Sequence, residues 1–351
     1  MKLKKRILIA PLNWGLGHAT RVMPIINELK KNSFEIIISA NGRSYELLKK
    51  EFPNDKFIKI KGVNIKYSNY LPMIICIAFQ IPNIIFCIIR EHIILNKKIK
   101  KYNIDGVISD NRFGMFSNKI PSVFITHQLN IISPFLEKII TSVNYFLINK
   151  YTECWIIDDK KIKIAGKLST PKKSLNKFCY IGNVSRMKYK KQIKKYDICF
   201  LLSGPEGQRK VFENIILKQI KNISGKLIMI QGKCESNYKK NNNNLTVISC
   251  ANSSDINKYI LESKLIVCRS GYSTIMDLKK LNSNAVLVPT PGQTEQEYLA
   301  KRLKKQGVYY MQNQNKFNIK KALDESIKYN KNKNFSEKSE NTNWDKLFRL
   351  F

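Results

Sequence analysis

The sequence predicts an α/β protein built from two doubly wound parallel sheets, and three observations carry that expectation. Short β-branched runs alternate with amphipathic stretches along the chain. The runs are almost continuously apolar, as strands covered on both faces must be. The 351 residues exceed one ordinary α/β core and suit two of roughly 150 each.

Taken in order, the strand candidates are RILIAPL (6–12), FEIIISA (34–40), GVISD (106–110), SVFITH (122–127) and CWIID (154–158). A second set follows with DICFLLSG (197–204), KLIMIQG (226–232), LTVISC (245–250), LIVCRSG (265–271) and AVLVPTP (285–291). Between the sets lies a basic stretch whose one strand candidate is FCYIGN (178–183). The expected division is therefore a first Rossmann-like domain at 1–165, a linker at 166–195 and a second domain at 196–334, with a C-terminal helix at 335–351 packing back on the first. Asn241–Asn244 is expected as a solvated loop. Residues 71–95 have the hydropathy of a membrane span, but Gln80, Pro82, Asn83, Arg90, Glu91 and His92 interrupt them. A transmembrane helix, a pair of core helices and a surface that touches lipid all remain open there, and the basic NKKIKK (96–101) favours contact with anionic headgroups.

With 62 basic against 26 acidic residues the formal charge is +36, which attracts polyanions. Nucleic acid, anionic lipid and phosphorylated substrates all qualify, as does simple drift toward Lys, Asn and Ile. The lysines are spread evenly and no RNP, zinc-finger or helix-turn-helix signature is present, so a nucleic-acid partner is not expected. The eight cysteines form no CxxC pair, which suits buried thiols in a reducing compartment. Only ILIA separates Arg6 from Pro11, too short for a signal-peptide core, and a cytoplasmic location, peripheral on the inner membrane face, is the expectation.

Four loops carry the chemistry. NWGLGHATR (13–21) follows the first strand, with Gly15 and Gly17 expected to let the backbone turn tightly and His18 and Arg21 to emerge at a helix start. LLSGPEGQR (201–209) places Ser203, Gly204, Gln208 and Arg209 after another strand, with Glu206 a further acid candidate. CRSGYSTIMDL (268–278) sets Arg269, Ser270, Gly271, Tyr272, Ser273, Thr274 and Asp277 at a third strand end. PTPGQTEQEYLAKRL (289–303) offers Gln293, Glu295 and Gln296. Single glycine turns are weak signals, whereas three such loops in one half, all at carboxyl ends of strands, mark a ligand crevice.

RSGYSTIMDL followed by PGQTEQEYLAKRL resembles the C-terminal nucleotide-sugar motif of family 28 glycosyltransferases, and NWGLGHATR resembles their N-terminal glycine-rich loop. That family includes enzymes acting on lipid-linked muramyl peptides and on diacylglycerol. The resemblance implies a GT-B fold, two Rossmann-like domains facing across a cleft. It implies that Arg269, Ser270, Gly271, Ser273 and Thr274 line the donor's diphosphate and sugar, that Asp277 meets the ribose hydroxyls, and that Gln293, Glu295 and Gln296 reach the sugar. Asp277 stands where the family usually has Glu.

Sugar transfer needs a base for the acceptor's proton and stabilisation of the leaving diphosphate. The chain has three histidines; His18 and His127 lie in loops that suit catalysis, and His92 reads as a helix residue. Asp110, Asn111 and Arg112, just past GVISD, could orient the acceptor or His18, or simply cap a turn, and Arg21 is expected on the acceptor side with Asn111 and Arg112. No D-x-D triplet is present, and no metal or other cofactor is expected. The leading expectation is an inverting enzyme moving a hexose or N-acetylhexosamine from a UDP-sugar to a lipid-linked, glycan or membrane-associated acceptor in cell-envelope, glycolipid or polysaccharide synthesis. The alternatives are a nucleotide-sugar hydrolase or 2-epimerase of the same fold and, from a different class, a basic nucleic-acid-binding protein.

Overall fold

The structure, a computed structural model, describes residues 4–14, 16–63, 73–133, 136–172, 176–233, 235–329 and 342–351. The chain forms two compact units, Met1–Val184 with Ser339–Phe351, and Ser185–Lys338.

In the first unit β1 (Arg6–Pro11), α1 (Leu16–Lys31), β2 (Glu35–Ile38), α2 (Gly42–Glu51) and β3 (Lys56–Phe57) run outward from the sheet centre. Then α3 (Met73–Tyr102) carries the chain back to β4 (Gly106–Asp110), followed by β5 (Ser122–Thr126), α4 (Glu137–Ile148), β6 (Glu153–Ile156) and β7 (Phe178–Tyr180). The sheet order is β3-β2-β1-β4-β5-β6-β7, with every pair parallel. The direction of winding reverses between β1 and β4, and a crevice opens at the carboxyl ends of strands at such a point.

Residues 71–95 were open to three readings. Residues 71 and 72 lie outside the described ones; from Met73 the chain is one helix through Pro82, not a core pair. Proline there removes one intrahelical bond without ending the helix. Among the described residues no helix is long and apolar enough to cross a membrane. The inner side of α3 packs Leu95 and Ile99 against Leu8 and Val107, while Ile148 of α4 packs with Phe124 and Cys154. Register places Leu8 beside Val107, Ser109 beside Phe124 and Phe124 beside Cys154, so α3 and α4 cover the same sheet face. Right-handed crossovers require this of two helices winding in one direction.

Of the residues expected as linker, Phe178–Tyr180 form β7 at the sheet edge. Within the expected C-terminal helix, 335–341 lie outside the described residues and Trp344–Phe348 is helical. Phe348 and Phe351 meet Phe34 edge-on at centroid distances of 5.8 and 6.5 Å, within the first unit.

The second unit comprises β8 (Tyr196–Leu201), α5 (Glu206–Ile220), β9 (Leu227–Ile230), β10 (Lys239–Asn242), β11 (Leu245–Ile248), α6 (Ser253–Leu261) and β12 (Ser263–Cys268). It continues with α7 (Tyr272–Lys280), β13 (Ala285–Leu287), α8 (Thr294–Lys305), β14 (Tyr310–Met311) and α9 (Ile319–Tyr329). Its order, β10-β11-β9-β8-β12-β13-β14, reverses between β8 and β12. All pairs are parallel except β10 with β11. The Asn run expected as a loop is therefore partly strand: Asn241 and Asn242 pair with Thr246 and Leu245 in an exposed hairpin. Backbone pairing to β11 overrides the low strand propensity of Asn. The described cysteines Cys87, Cys154, Cys179, Cys199, Cys250 and Cys268 form no disulfide; Cys234 and the side chain of Cys76 lie outside the described residues.

Candidate active site

Each unit gathers polar residues at its own winding reversal. In the first, the opening of α1 meets the ends of β4 and β5. Gly15 lies outside the described residues. Gly17 is exposed inside the first turn of α1, so its role there is helical and not that of a loop hinge. His18 and Arg21 stand one helical turn apart, on one face. Asp110 is the last residue of β4, in register with Pro11 of β1, and His127 directly follows β5.

These four side chains converge. The Arg21 guanidinium grips the fully buried Asp110 carboxylate with two donors, Nε to Oδ2 at 2.8 Å and Nη2 to Oδ1. Its Nη1 donates to His127 Nδ1 at 2.7 Å. His18 Nδ1 lies 2.9 Å from Asp110 Oδ1 and 2.7 Å from Arg21 Nη2. A proton on Nδ1 satisfies the carboxylate; a bare Nδ1 accepts from the guanidinium.

Burial pushes the Asp110 carboxyl up, but the charges and hydrogen bonds of Arg21 and His18 more than offset this and hold it at about 2. A depressed carboxyl adds stability that is present above its unfolded value and is lost as pH falls through the folded one, here between about 4 and 2. The contribution at neutral pH is on the order of 2 kcal/mol. Urea unfolding of wild type and Asp110→Asn should therefore show a gap at pH 6 that closes below about pH 4. A gap constant with pH would mean that the carboxyl is not held down.

The rest of the polar group past β4 turns elsewhere. Asn111 adopts a left-handed φ of 54°, which Asn tolerates, and swings the chain away. Arg112 does not join His18. It is buried and donates to Glu91 Oε1 at 2.8 Å, to Ser39 O at 3.1 Å and to Ile60 O at 2.9 Å. In the sequence Glu91 reads only as a break in the apolar run, because nothing in REHIIL marks a helical glutamate as internal. His92 donates from Nδ1 to Phe116 O at 3.0 Å and stacks on that ring, a structural placement.

In the second unit, Ser203 and Gly204 follow β8 and Arg269, Ser270 and Gly271 follow β12, the two strands that flank the reversal. Gly204 has φ +104°, a conformation that excludes most side chains. Gly271 caps α7, whose positive end is set by the turn of Tyr272, Ser273 and Thr274; Tyr272 is buried. Gln293 precedes α8 and Glu295 lies in its first turn. Gln296 ties the loops together, its Oε1 accepting from Thr290 N–H at 2.9 Å and its carbonyl from Ser270 Oγ at 2.8 Å. Its amide nitrogen donates to Gln293 Oε1.

The two arginines of these loops are internal. Arg209 is clamped by Glu206 and Glu213. Arg269 donates to the carbonyls of Val288 (3.1 Å), Pro289 (3.2 Å) and Gln208 (3.0 Å) and to Gln314 Oε1 (2.6 Å), over the ring of Phe212. Burial lowers its guanidinium to about 10. Asp277 accepts from Ser185 Oγ at 2.6 Å, with Arg186 Nε 3.7 Å from its other oxygen, and burial pushes its carboxyl up. Sequence reasoning missed Ser185 and Arg186, which no motif marks, and Thr290, which the PTPG turn contained. The Thr290 hydroxyl is buried without a partner among the described residues, 3.9 Å from where a Cβ on Gly204 would sit.

Residues 201–348 match the glycosyltransferase family 28 C-terminal domain. Over the whole chain the fold is similar to the glycotransferase of kitacinnamycin (TM-score 0.66, 12% identity, 99% of each chain covered). It is also similar to MurG of Acinetobacter baumannii (0.52, 15%, 94% of this chain and 95% of that one). A third similar structure is the glycosyltransferase VinC in complex with dTDP (0.59, 10%, 94% and 92%). No curated protein sequence matches. Residues 201–348, which take in most of the second unit, are thus similar to the glycosyltransferase family 28 C-terminal domain, and the chain as a whole has the GT-B fold.

Proposed function

We propose that the protein moves a hexose or N-acetylhexosamine from a UDP-sugar to a lipid-linked or membrane-associated acceptor with inversion at the anomeric carbon. The observation that carries this reading is the pairing of His18 with a buried, ionised Asp110 at the winding reversal of the first sheet. An imidazole whose Nδ1–H is held by a carboxylate has its Nε2 bare for the proton of an attacking hydroxyl. As the sugar–phosphate bond breaks, charge builds on the diphosphate. The α7 N-terminus with Gly271, Ser273 and Thr274, and the Ser203–Gly204 loop beside it, would take that charge without a metal. Gln293, Glu295 and Gln296 would meet sugar hydroxyls and Asp277 the ribose, with Arg209 and Arg269 as the struts that hold these loops.

Mass spectrometry of UDP-, GDP- and dTDP-sugars with a membrane lipid extract, in excess EDTA, tests the reading; dTDP is included because VinC binds it. The expected result is consumption of a UDP-sugar only when lipid is present. Stoichiometric turnover without acceptor would identify a hydrolase or epimerase, and loss in EDTA restored by Mg²⁺ would overturn metal independence.

A lipid-facing acceptor is supported by two unpartnered apolar faces. On α3, Phe79 (81% exposed), Phe86, Ile89 and Ile93 recur at helical spacing; on α4, Ile139, Val143 and Phe146 do the same. Cations flank both, Arg90 over the Phe86 ring and Lys150 over that of Phe146. Apolar side chains flanked by a cation on helices of one sheet face suit an anionic interface. The protein should sediment with anionic vesicles, less as salt rises, and Phe86→Ser/Phe146→Ser should release it. Unchanged sedimentation of that variant would remove these faces from the contact.

A further inference from the structure

The cluster contains a residue to which the proposed function gives no role of its own. Arg21 is buried and reaches one carboxylate and two imidazoles. We propose that Arg21 is a positioning residue that fixes the protons of His18 and His127 in opposite senses, leaving Nε2 bare on His18 and protonated on His127.

A guanidinium has N–H donors and no acceptor. The His127 Nδ1 that lies 2.7 Å from Arg21 Nη1 is therefore bare, and the neutral ring carries its proton on Nε2. Placing a proton on Nδ1 would set two donors against each other at that distance. At His18 Nη2 also lies 2.7 Å from Nδ1, but Nη2 already donates to Asp110 Oδ1, and there the same guanidinium acts through the carboxylate. With Nε and Nη2 both donating to the carboxylate, it pins Oδ1 2.9 Å from His18 Nδ1. A bare Nδ1 would face that oxygen with a lone pair. The negative charge is shared by two oxygens, whereas that of Arg21 is spread over three nitrogens, so the carboxylate decides and Nδ1 holds the proton. One side chain thereby supplies the site with an imidazole that accepts at Nε2 and another that donates there. The His18 half rests on the catalytic reading above; the His127 half does not.

The chain's three histidines make this visible by long-range ¹H–¹⁵N imidazole spectra, assigned by single His→Gln variants. His92 is an internal reference, since its Nδ1 donates to Phe116 O and its Nε2 accepts from Asn96. The wild type is expected to show Nδ1–H on His18 and His92 and Nε2–H on His127. In Arg21→Lys a single ammonium cannot span Asp110 and His127, so the single His127 tautomer is lost to a mixture while His92 is unmoved. Should Arg21→Lys not fold, Arg21→Met/Asp110→Asn removes both buried charges and gives the same readout. An unmixed Nε2–H on His127 in these variants, Nδ1–H on His127 in the wild type, or Nε2–H on wild-type His18 would overturn the proposal. Near-normal turnover of His18→Ala would instead sink the catalytic reading while leaving the effect of Arg21 on His127 standing.

Discussion

His18→Ala is expected to lower turnover by about 10²-fold or more while UDP-sugar affinity changes little. A positioned base contributes to the step in which the acceptor hydroxyl loses its proton and has no part in holding the nucleotide. The variant should also fold, because Arg21 keeps both donors on Asp110 and the buried carboxylate stays paired. Steady-state kinetics beside calorimetric titration of UDP separate the outcomes. If melting temperature and UDP affinity fall together, His18 holds the loop; if turnover is near normal in a folded variant, Asp110 or His127 is the next base to test.

The largest loss of stability is expected from Glu91→Ala. Glu91 and Arg112 are each 1% exposed and lie 2.8 Å apart, and Arg112 joins α3 to the carbonyls of Ser39 and Ile60 while its own carbonyl accepts from Tyr151 Oη at 2.6 Å. The pair fills a slot walled by glycine: a Cβ on Gly114 would lie 2.3 Å from Ile88 O and 2.9 Å from Glu91 Oε2. Removing one partner strands a buried guanidinium, which costs about 3–5 kcal/mol. Replacement by Gln keeps the acceptor oxygen and should cost less. Urea unfolding decides, and a loss of under about 1 kcal/mol would show that water reaches Arg112 and screens it.

The strands of both sheets were legible because a strand buried on two faces must be apolar throughout, and FEIIISA or LIVCRSG has no other use for such a run. Lys56–Phe57 and Tyr310–Met311 were not, since two residues carry no period. Lys239–Asn242 is a strand through its partner and not its composition. The site was legible as positions after strands, because the winding reversal fixes where loops converge. The roles within it were less so. Arg21, Arg112, Arg209 and Arg269 look alike in sequence, and all four are buried against partners up to 106 residues away. Which cation is structural depends on where the chain places a carboxylate or carbonyl, and no local pattern records that.

The return of the chain's last residues to the first unit sets an order for folding. Phe351 lies against Gly106, at whose Cβ position its ring carbon would be 2.3 Å away, and Thr342 Oγ1 donates to Ile181 O. The second unit is contiguous, so its contacts close within one stretch of chain. The first must close a loop across the whole of the second before Phe348 and Phe351 reach Phe34 and Trp155. Loop closure over such a separation is entropically costly and slow. On a ribosome the unit made first is therefore the one finished last, with the aromatic seat at Phe34 and Trp155 unfilled until the other unit has been synthesised.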